Sequence, residues 1–244
     1  MKISYIVRRG AKALCEDAVL AGPCAVISGA GELTADFPLW IGVCDGVGGN
    51  PGGSPAAAFT VSRLMEEKPG SPEELREVMQ SLNARLIAYG RNLGLGTMAA
   101  AFTGCYFTGD RCLMAHCGNT RLWKVNGGSY LDALTADHTV YQQLLSAGMD
   151  TEGVSKSEIY CCLGAGSEGM LEHLVTSEPL PKGPGAPLLF TTDGIHDYLT
   201  QDRMEQLLSD NTAPADRLAA LTEAALEAGS RDDMSAALVT FGEG

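Results

Sequence analysis

Apolar and polar positions follow two different periods along this chain, and the change of period marks its elements. Across residues 72–93, Leu75, Val78, Met79, Leu82, Leu86 and Tyr89 recur at i, i+3, i+4, i+7 spacing, which gathers them on one face of a helix. Ser71 stands where an N-cap belongs, with Glu74 three residues on, the sequence signature of a capped helix start. Residues 54–66 predict a second helix, mostly small and apolar. Beyond Met98 the pattern changes to short apolar runs at 99–107, 112–117 and 121–125, broken by turns at Thr108-Gly109-Asp110 and Asn126-Gly127. Asn-Gly between apolar runs is a strong hairpin signal, so these strands should pair antiparallel. Residues 39–44, 187–192 and 234–241 predict further strands, and 138–147, 201–209 and 214–228 further helices. Residues 149–170 read as an irregular, polar and mobile flap. Strands grouped in meanders, with paired helices between them, predict an α+β fold rather than an alternating one. The expected architecture is two antiparallel β-sheets in a central sandwich flanked by helical layers, in one domain over residues 1–244.

Charge narrows the range of partners. The chain carries 17 Lys and Arg against 30 Asp and Glu, a formal net charge of -13. Such a surface repels phosphate backbones and anionic membranes, which argues against nucleic-acid or membrane binding. It suits divalent cations and basic peptide segments. No run approaches the roughly 20 apolar residues of a membrane span, and the first ten residues lack the apolar core of a signal peptide. The eight cysteines form no CxxC pair and no zinc-finger spacing, and several lie in apolar runs. Reduced, buried thiols and a cytoplasmic location are expected.

The candidate chemistry lies in carboxylates at strand ends. Asp45 follows the apolar run LWIGVC and precedes Gly46; Asp193 follows LLFTT and precedes Gly194; Asp232 precedes MSAALVTF. Glu16 and Asp17 form a fourth acidic site. Any one Asp-Gly pair marks no more than a turn. Several carboxylates converging at a cleft, however, repel one another unless a cation neutralises them. Oxygen ligands without His or Cys select hard ions such as Mg²⁺ or Mn²⁺. A glycine after each Asp permits close backbone approach, and the Gly46 carbonyl could itself be a ligand.

Six segments in order resemble the motifs of the metal-dependent protein phosphatases of type 2C. They are GAKALCEDA (10–18), CDGVGGNPGG (44–53), Gly96-Thr97, HCGNTRLWKVNGG (116–128) with LTADHT (134–139), FTTDGIHDYL (190–199) and SRDDMSAALVTF (230–241). The resemblance implies hydrolysis of phosphoserine and phosphothreonine in proteins by a water that two Mn²⁺ or Mg²⁺ ions activate. It implies that Asp45 bridges the two metals, that the Gly46 carbonyl adds to one, and that Asp193 and Asp232 bind the other. Glu16 and Asp17 would hold metal-bound waters, and Lys12 would meet the substrate phosphate. The substrates would be phosphoproteins, in opposition to a Ser/Thr kinase.

The chain also departs from those motifs. Lys12 stands where many relatives place an Arg and offers a point charge without the bidentate fork. Arg8 or Arg9 could substitute for it. Asn119 replaces an Asp linked in the family to a third metal, so a third ion is doubtful. Asp233 replaces an Asn beside Asp232, which leaves open which of the two reaches a metal. Asn50 stands where bacterial relatives often carry His. These changes keep a second reading open, a weak or inactive pseudophosphatase that binds phosphopeptides or regulates a partner. A two-metal nuclease is a third reading that the net charge disfavours. His138, His196, Trp40 and Trp123 read as packing residues, and Arg121 as half of a structural salt bridge.

Overall fold

The apolar runs become strands, and every strand pairing is antiparallel. The computed structural model describes residues 1–48, 52–95, 97–180 and 185–241. In chain order these form β1 (Lys2–Arg8), β2 (Asp17–Ala21), β3 (Cys24–Val26), β4 (Gly29–Thr34), β5 (Leu39–Gly46), α1 (Gly53–Leu64) and α2 (Pro72–Asn92). The strands β6 (Ala99–Thr108), β7 (Arg111–Cys117), β8 (Arg121–Asn126) and β9 (Tyr130–Ala133) follow, then α3 (Val140–Ser146), β10 (Leu163–Gly164) and a 3-10 turn at Glu168–Leu171. The chain continues through β11 (Val175–Ser177), β12 (Leu188–Thr191), α4 (Asp193–His196), α5 (Gln201–Leu208), α6 (Pro214–Glu227) and β13 (Met234–Thr240).

One sheet has the order β4-β1-β13-β12-β8-β9; the other runs β11-β7-β6-β5-β2-β3, with β10 added to β6. Three apolar clusters define four layers. Ile3, Val19, Ile41, Phe107, Phe190 and Val239 fill the space between the sheets. Ala57, Val61, Leu75, Met79 and Leu82 of α1 and α2 pack with Trp40 and Phe102 on the outer face of the second sheet. Met204, Leu208, Leu218 and Leu221 of α5 and α6 pack with Leu189, Ala236 and Leu238 on the outer face of the first. This is the expected sandwich flanked by helices: each amphipathic helix buries its apolar stripe on a sheet, and each sheet is apolar on both faces.

Local signals act as the sequence predicts. Ser71 Oγ accepts from Glu74 N at 3.1 Å, and the Glu74 carboxylate accepts from Gly70 N at 2.7 Å, one residue before the cap itself. The Asn126-Gly127 turn joins β8 to β9, with Asn126 opposite Tyr130. Trp40 is buried with its Nε1 donating to Glu67 O, and Trp123 donates to Thr191 Oγ1. All eight cysteines are free thiols, six of them buried. No helix among the described residues is long and apolar enough to cross a membrane.

Two expectations need correction. The segment 149–170 is not polar and irregular throughout, because Cys161, Cys162 and Leu163 are buried. Leu163 pairs with Ala100, and Gly164 N donates to Asn83 Oδ1 at 2.6 Å. An apolar Cys-Cys-Leu run beside α2 gains more from burial than from exposure. The first 38 residues, for which the pattern predicts no strand, supply four.

Candidate active site

The layer between the sheets is apolar until its last level, where it turns polar. Side chains alternate faces along a strand, so residues two apart, about 7 Å, share one. On β5, Leu39, Ile41 and Val43 face the opposite sheet, and Asp45 is next on that face. On β2 the same face runs Ala21, Val19, Asp17, and Asp17 lies directly opposite Asp45. On the other sheet, Leu188 and Phe190 are followed by Thr192, and Val239 and Ala237 by Ser235 and Asp233. Phe107 and Cys105 lead to Thr103, and Cys112 and Met114 to His116. One register therefore lifts all these polar groups to the same end of the sandwich.

Crowding of the carboxylates shows in their acidities. Burial pushes Asp45 well above the usual carboxylate range, and the charges of Asp193, Asp17 and Asp232 push it further against the opposing pull of Lys12. Asp193 is raised to about 7 by burial and by Asp232 and Asp197, although Asn119 Nδ2 donates to its Oδ2 at 2.7 Å and works the other way. Asp17, 2% exposed, is raised to about 8 by burial. Thr192 Oγ1 donates to Asp17 Oδ2 at 2.8 Å and opposes that rise. The Ser235 hydroxyl lies near enough to oppose it too, though it forms no hydrogen bond of ordinary geometry. Without a nearby cation such a group keeps protons that isolated carboxylates would lose.

Close backbone approach places these groups. A Cβ on Gly46 would lie 2.2 Å from Gly53 O, and one on Gly194 would lie 2.0 Å from Asp233 O, so neither position accepts a side chain without moving backbone. Gly46 N donates to Glu16 O at 2.9 Å, which ties the end of β5 to the loop before β2.

Asp232 and Asp233 divide their work. Asp233 is 1% exposed and accepts from Gly10 N at 2.8 Å through Oδ1 and from Glu16 N at 2.7 Å through Oδ2. Both of its oxygens thus clamp the loop before β2, 217 and 223 residues away in sequence. Asp232 is partly exposed at the mouth, and its Oδ1 meets Lys12 Nζ at 2.8 Å. Lys12 also reaches Glu16 Oε2 at 2.8 Å, with Asp233 Oδ2 at 3.9 Å. Burial works against the Lys12 charge, but the hydrogen bonds to Asp232 and Glu16 win and hold its pKa above the usual lysine value. Arg8 instead pairs with Glu223, and Arg9 donates to Ala13 O.

The surrounding residues brace this end. Arg121 binds both oxygens of Asp137, at 2.8 and 2.6 Å. His196 bridges Thr191 Oγ1 and the Asn119 carbonyl, which sets Asn119 over Asp193. His138 Nδ1 faces Gly118 N at 3.3 Å. These are the structural roles expected of Arg121 and both histidines. The expectations for Asn50 and for Gly96 of Gly96-Thr97 lie outside the described residues.

No protein-family model matches the chain. A putative protein phosphatase of type 2C from Streptococcus pyogenes is 24% identical over 206 residues, 81% of this chain and 83% of its own. The protein phosphatase PhpP of Streptococcus pneumoniae is 22% identical over 210 residues, 82% of this chain and 85% of its own. Among solved structures, the serine/threonine phosphatase of S. agalactiae superposes with a TM-score of 0.78 at 22% identity, covering 99% of this chain and 100% of that one. The chain is similar to the type 2C protein phosphatases and has their fold. The catalytic domain of the serine/threonine phosphatase PstP, solved in complex with two manganese ions, shares that type 2C fold, with a TM-score of 0.72 at 22% identity over 98% of both chains.

The oxygen donors here suit hard divalent cations. Asp45, Asp193 and Asp232 offer only oxygen, and their mutual repulsion is what a divalent ion relieves. Yet among the described residues no three acidic, imidazole or thiol groups converge closely enough to hold an ion as they stand. At this end Asn119 donates to Asp193 Oδ2, and Lys12 pairs with Asp232 Oδ1. The sequence reading missed both, along with the Thr192 hydroxyl on Asp17. Only the Thr-Thr-Asp run at the end of β12, with two hydroxyls before a carboxylate, hinted at the last of these.

Proposed function

We propose that this protein is a Mn²⁺- or Mg²⁺-dependent phosphatase of phosphoserine and phosphothreonine in proteins, acting against a Ser/Thr kinase. The observation that carries the reading is the convergence of Asp17, Asp45 and Asp193 at one end of the sandwich, all with raised pKa values. Asp45 with the Gly46 carbonyl would hold one ion; Asp45, Asp193 and Asp232 would hold the second. When bound, such a pair of ions supplies a water of lowered pKa as nucleophile and neutralises the phosphoryl charge. Asn119 donates a hydrogen bond and offers no carboxylate here, so two ions, not three, are expected. Asp17, which accepts from Thr192 Oγ1, and Glu16, whose backbone N donates to Asp233, would orient metal-bound water. Asp233 has both oxygens engaged with backbone amides, which favours Asp232 as the ligand.

The test is phosphate release from a phosphothreonine peptide with and without millimolar Mn²⁺. Metal-dependent turnover that drops by about a hundredfold to a thousandfold in Asp45→Asn, the scale of losing one preorganised electrostatic group, is expected. Absence of turnover with phosphopeptide and p-nitrophenyl phosphate at millimolar Mn²⁺ would overturn the reading. A second reading, a pseudophosphatase that binds phosphopeptide without cleaving it, is favoured by the engagement of Lys12 with Asp232 and Glu16. Calorimetry separates the two, since tight phosphopeptide binding with no released phosphate would select the second.

A further inference from the structure

The Lys12 ammonium meets the carboxylates that the proposed second ion would need. Its Nζ stands 2.8 Å from both Asp232 Oδ1 and Glu16 Oε2. The place is built for it. Asp233 fixes Gly10 N and Glu16 N on either side of Lys12, and Ala11 N donates to Arg231 O at 2.8 Å, so the loop carrying Lys12 is stitched to the loop carrying Asp232. Across the gap lies Gly48, where an added Cβ would lie 3.3 Å from Glu16 Oε2 and 3.4 Å from Lys12 Nζ. Any side chain there would crowd the ion pair.

We propose that Lys12 is an internal counter-cation of the acidic centre, which a divalent ion must displace from Asp232 and Glu16 in order to bind. This rests on the metal-centre reading above. An ammonium supplies one positive charge to a cluster that attracts two, so it lowers both the repulsion among the carboxylates and their pull on a metal. The flexible four-carbon stem of lysine lets its head leave without moving the clamped backbone, whereas the backbone amides on Asp233 stay in place. The partners of Lys12 are carboxylates rather than a phosphate, and its charge sets the concentration of metal the protein requires.

The experiment is calorimetric titration of the full chain with Mn²⁺ alone, without substrate, for wild type, Lys12→Met and Lys12→Arg. Lys12→Met keeps the apolar stem and removes the charge; it should bind the weaker ion at least about tenfold more tightly. Lys12→Arg retains the charge and adds a fork that grips carboxylates, so it should bind Mn²⁺ no more tightly than wild type. Circular dichroism of each variant establishes that it is folded. Unchanged or weaker binding by Lys12→Met would overturn the proposal, because a lysine that merely orients Asp232 predicts loss. If wild type takes up no Mn²⁺ but Lys12→Met does, displacement by Lys12 is supported in its strongest form. If neither binds, the metal-centre reading fails and this proposal with it; if wild type binds and Lys12→Met gains nothing, only this proposal fails.

Discussion

Between the two sheets, the same faces of the same strands are oily at one end and acidic at the other. At the oily end Leu39, Ile41, Phe107, Phe190 and Val239 are buried against one another. Further along the same faces, the strands present Asp45, Thr103, Thr192 and Ser235 to the same space, with Asp17 opposite Asp45. The first end lowers the free energy of the fold by removing apolar surface from water. The second raises it, since carboxylates there are desolvated beside like charges. Such a site persists because the apolar end over-determines the strand register that holds it.

Emptying the oily end and removing a crowded, desolvated charge such as that of Asp17 should therefore have opposite signs. The largest stability effect is expected from Phe190→Ala, which empties a fully buried position of the oily end and should cost about 3–5 kcal/mol in urea unfolding. A loss below about 1 kcal/mol would mean that this end does not anchor the register. Next comes the pH response of the protein in EDTA. Asp193 and Asp17 have folded pKa values of about 7 and about 8, above the unfolded value near 4. The fold thus binds more protons than the unfolded chain, and the stability tied to those protons is present at low pH and lost as pH rises through 7 and 8. Melting temperature should fall from pH 5 to pH 8, and Asp17→Asn, worth about 1–4 kcal/mol at pH 8, should flatten the slope. Excess Mn²⁺ should oppose the fall, as the ion competes with those protons; a melting temperature that rises with pH in EDTA would contradict the picture. The smallest effect is expected at Asp233→Asn. An amide can accept from only one of Gly10 N and Glu16 N and sets its NH₂ against the other, a loss of about 1–3 kcal/mol. Thermal melts that show no loss would remove Asp233 from its role as clamp.

Much of this division is legible in the sequence, and what is not has a physical cause. The helix at Pro72–Asn92 is announced by its periodic stripe and its cap, both local signals. Strand-end aspartates at 45 and 193 stand out because an apolar run stops at a carboxylate followed by glycine. The strand at Lys2–Arg8 is hidden because its burial does not alternate cleanly, and those at Cys24–Val26 and Gly29–Thr34 because edge strands are short and mostly exposed. The buried Cys161-Cys162-Leu163 run is obscured because it is short and lies between the polar stretches 155–158 and 167–168. Least legible were the partners of Lys12 and Asp233. Their contacts join loops more than 200 residues apart, and no local pattern encodes which of two adjacent carboxylates turns inward.

The order of strands has a consequence for biosynthesis. β13 lies between β1 and β12, so until it arrives the first sheet is two separate pieces, β4-β1 and β12-β8-β9. Asp232 and the Asp233 clamp reach the acidic centre with that same stretch of chain. A nascent chain therefore carries an incomplete acidic centre until β13 emerges. Closing the first sheet and completing the acidic centre are thus one folding event.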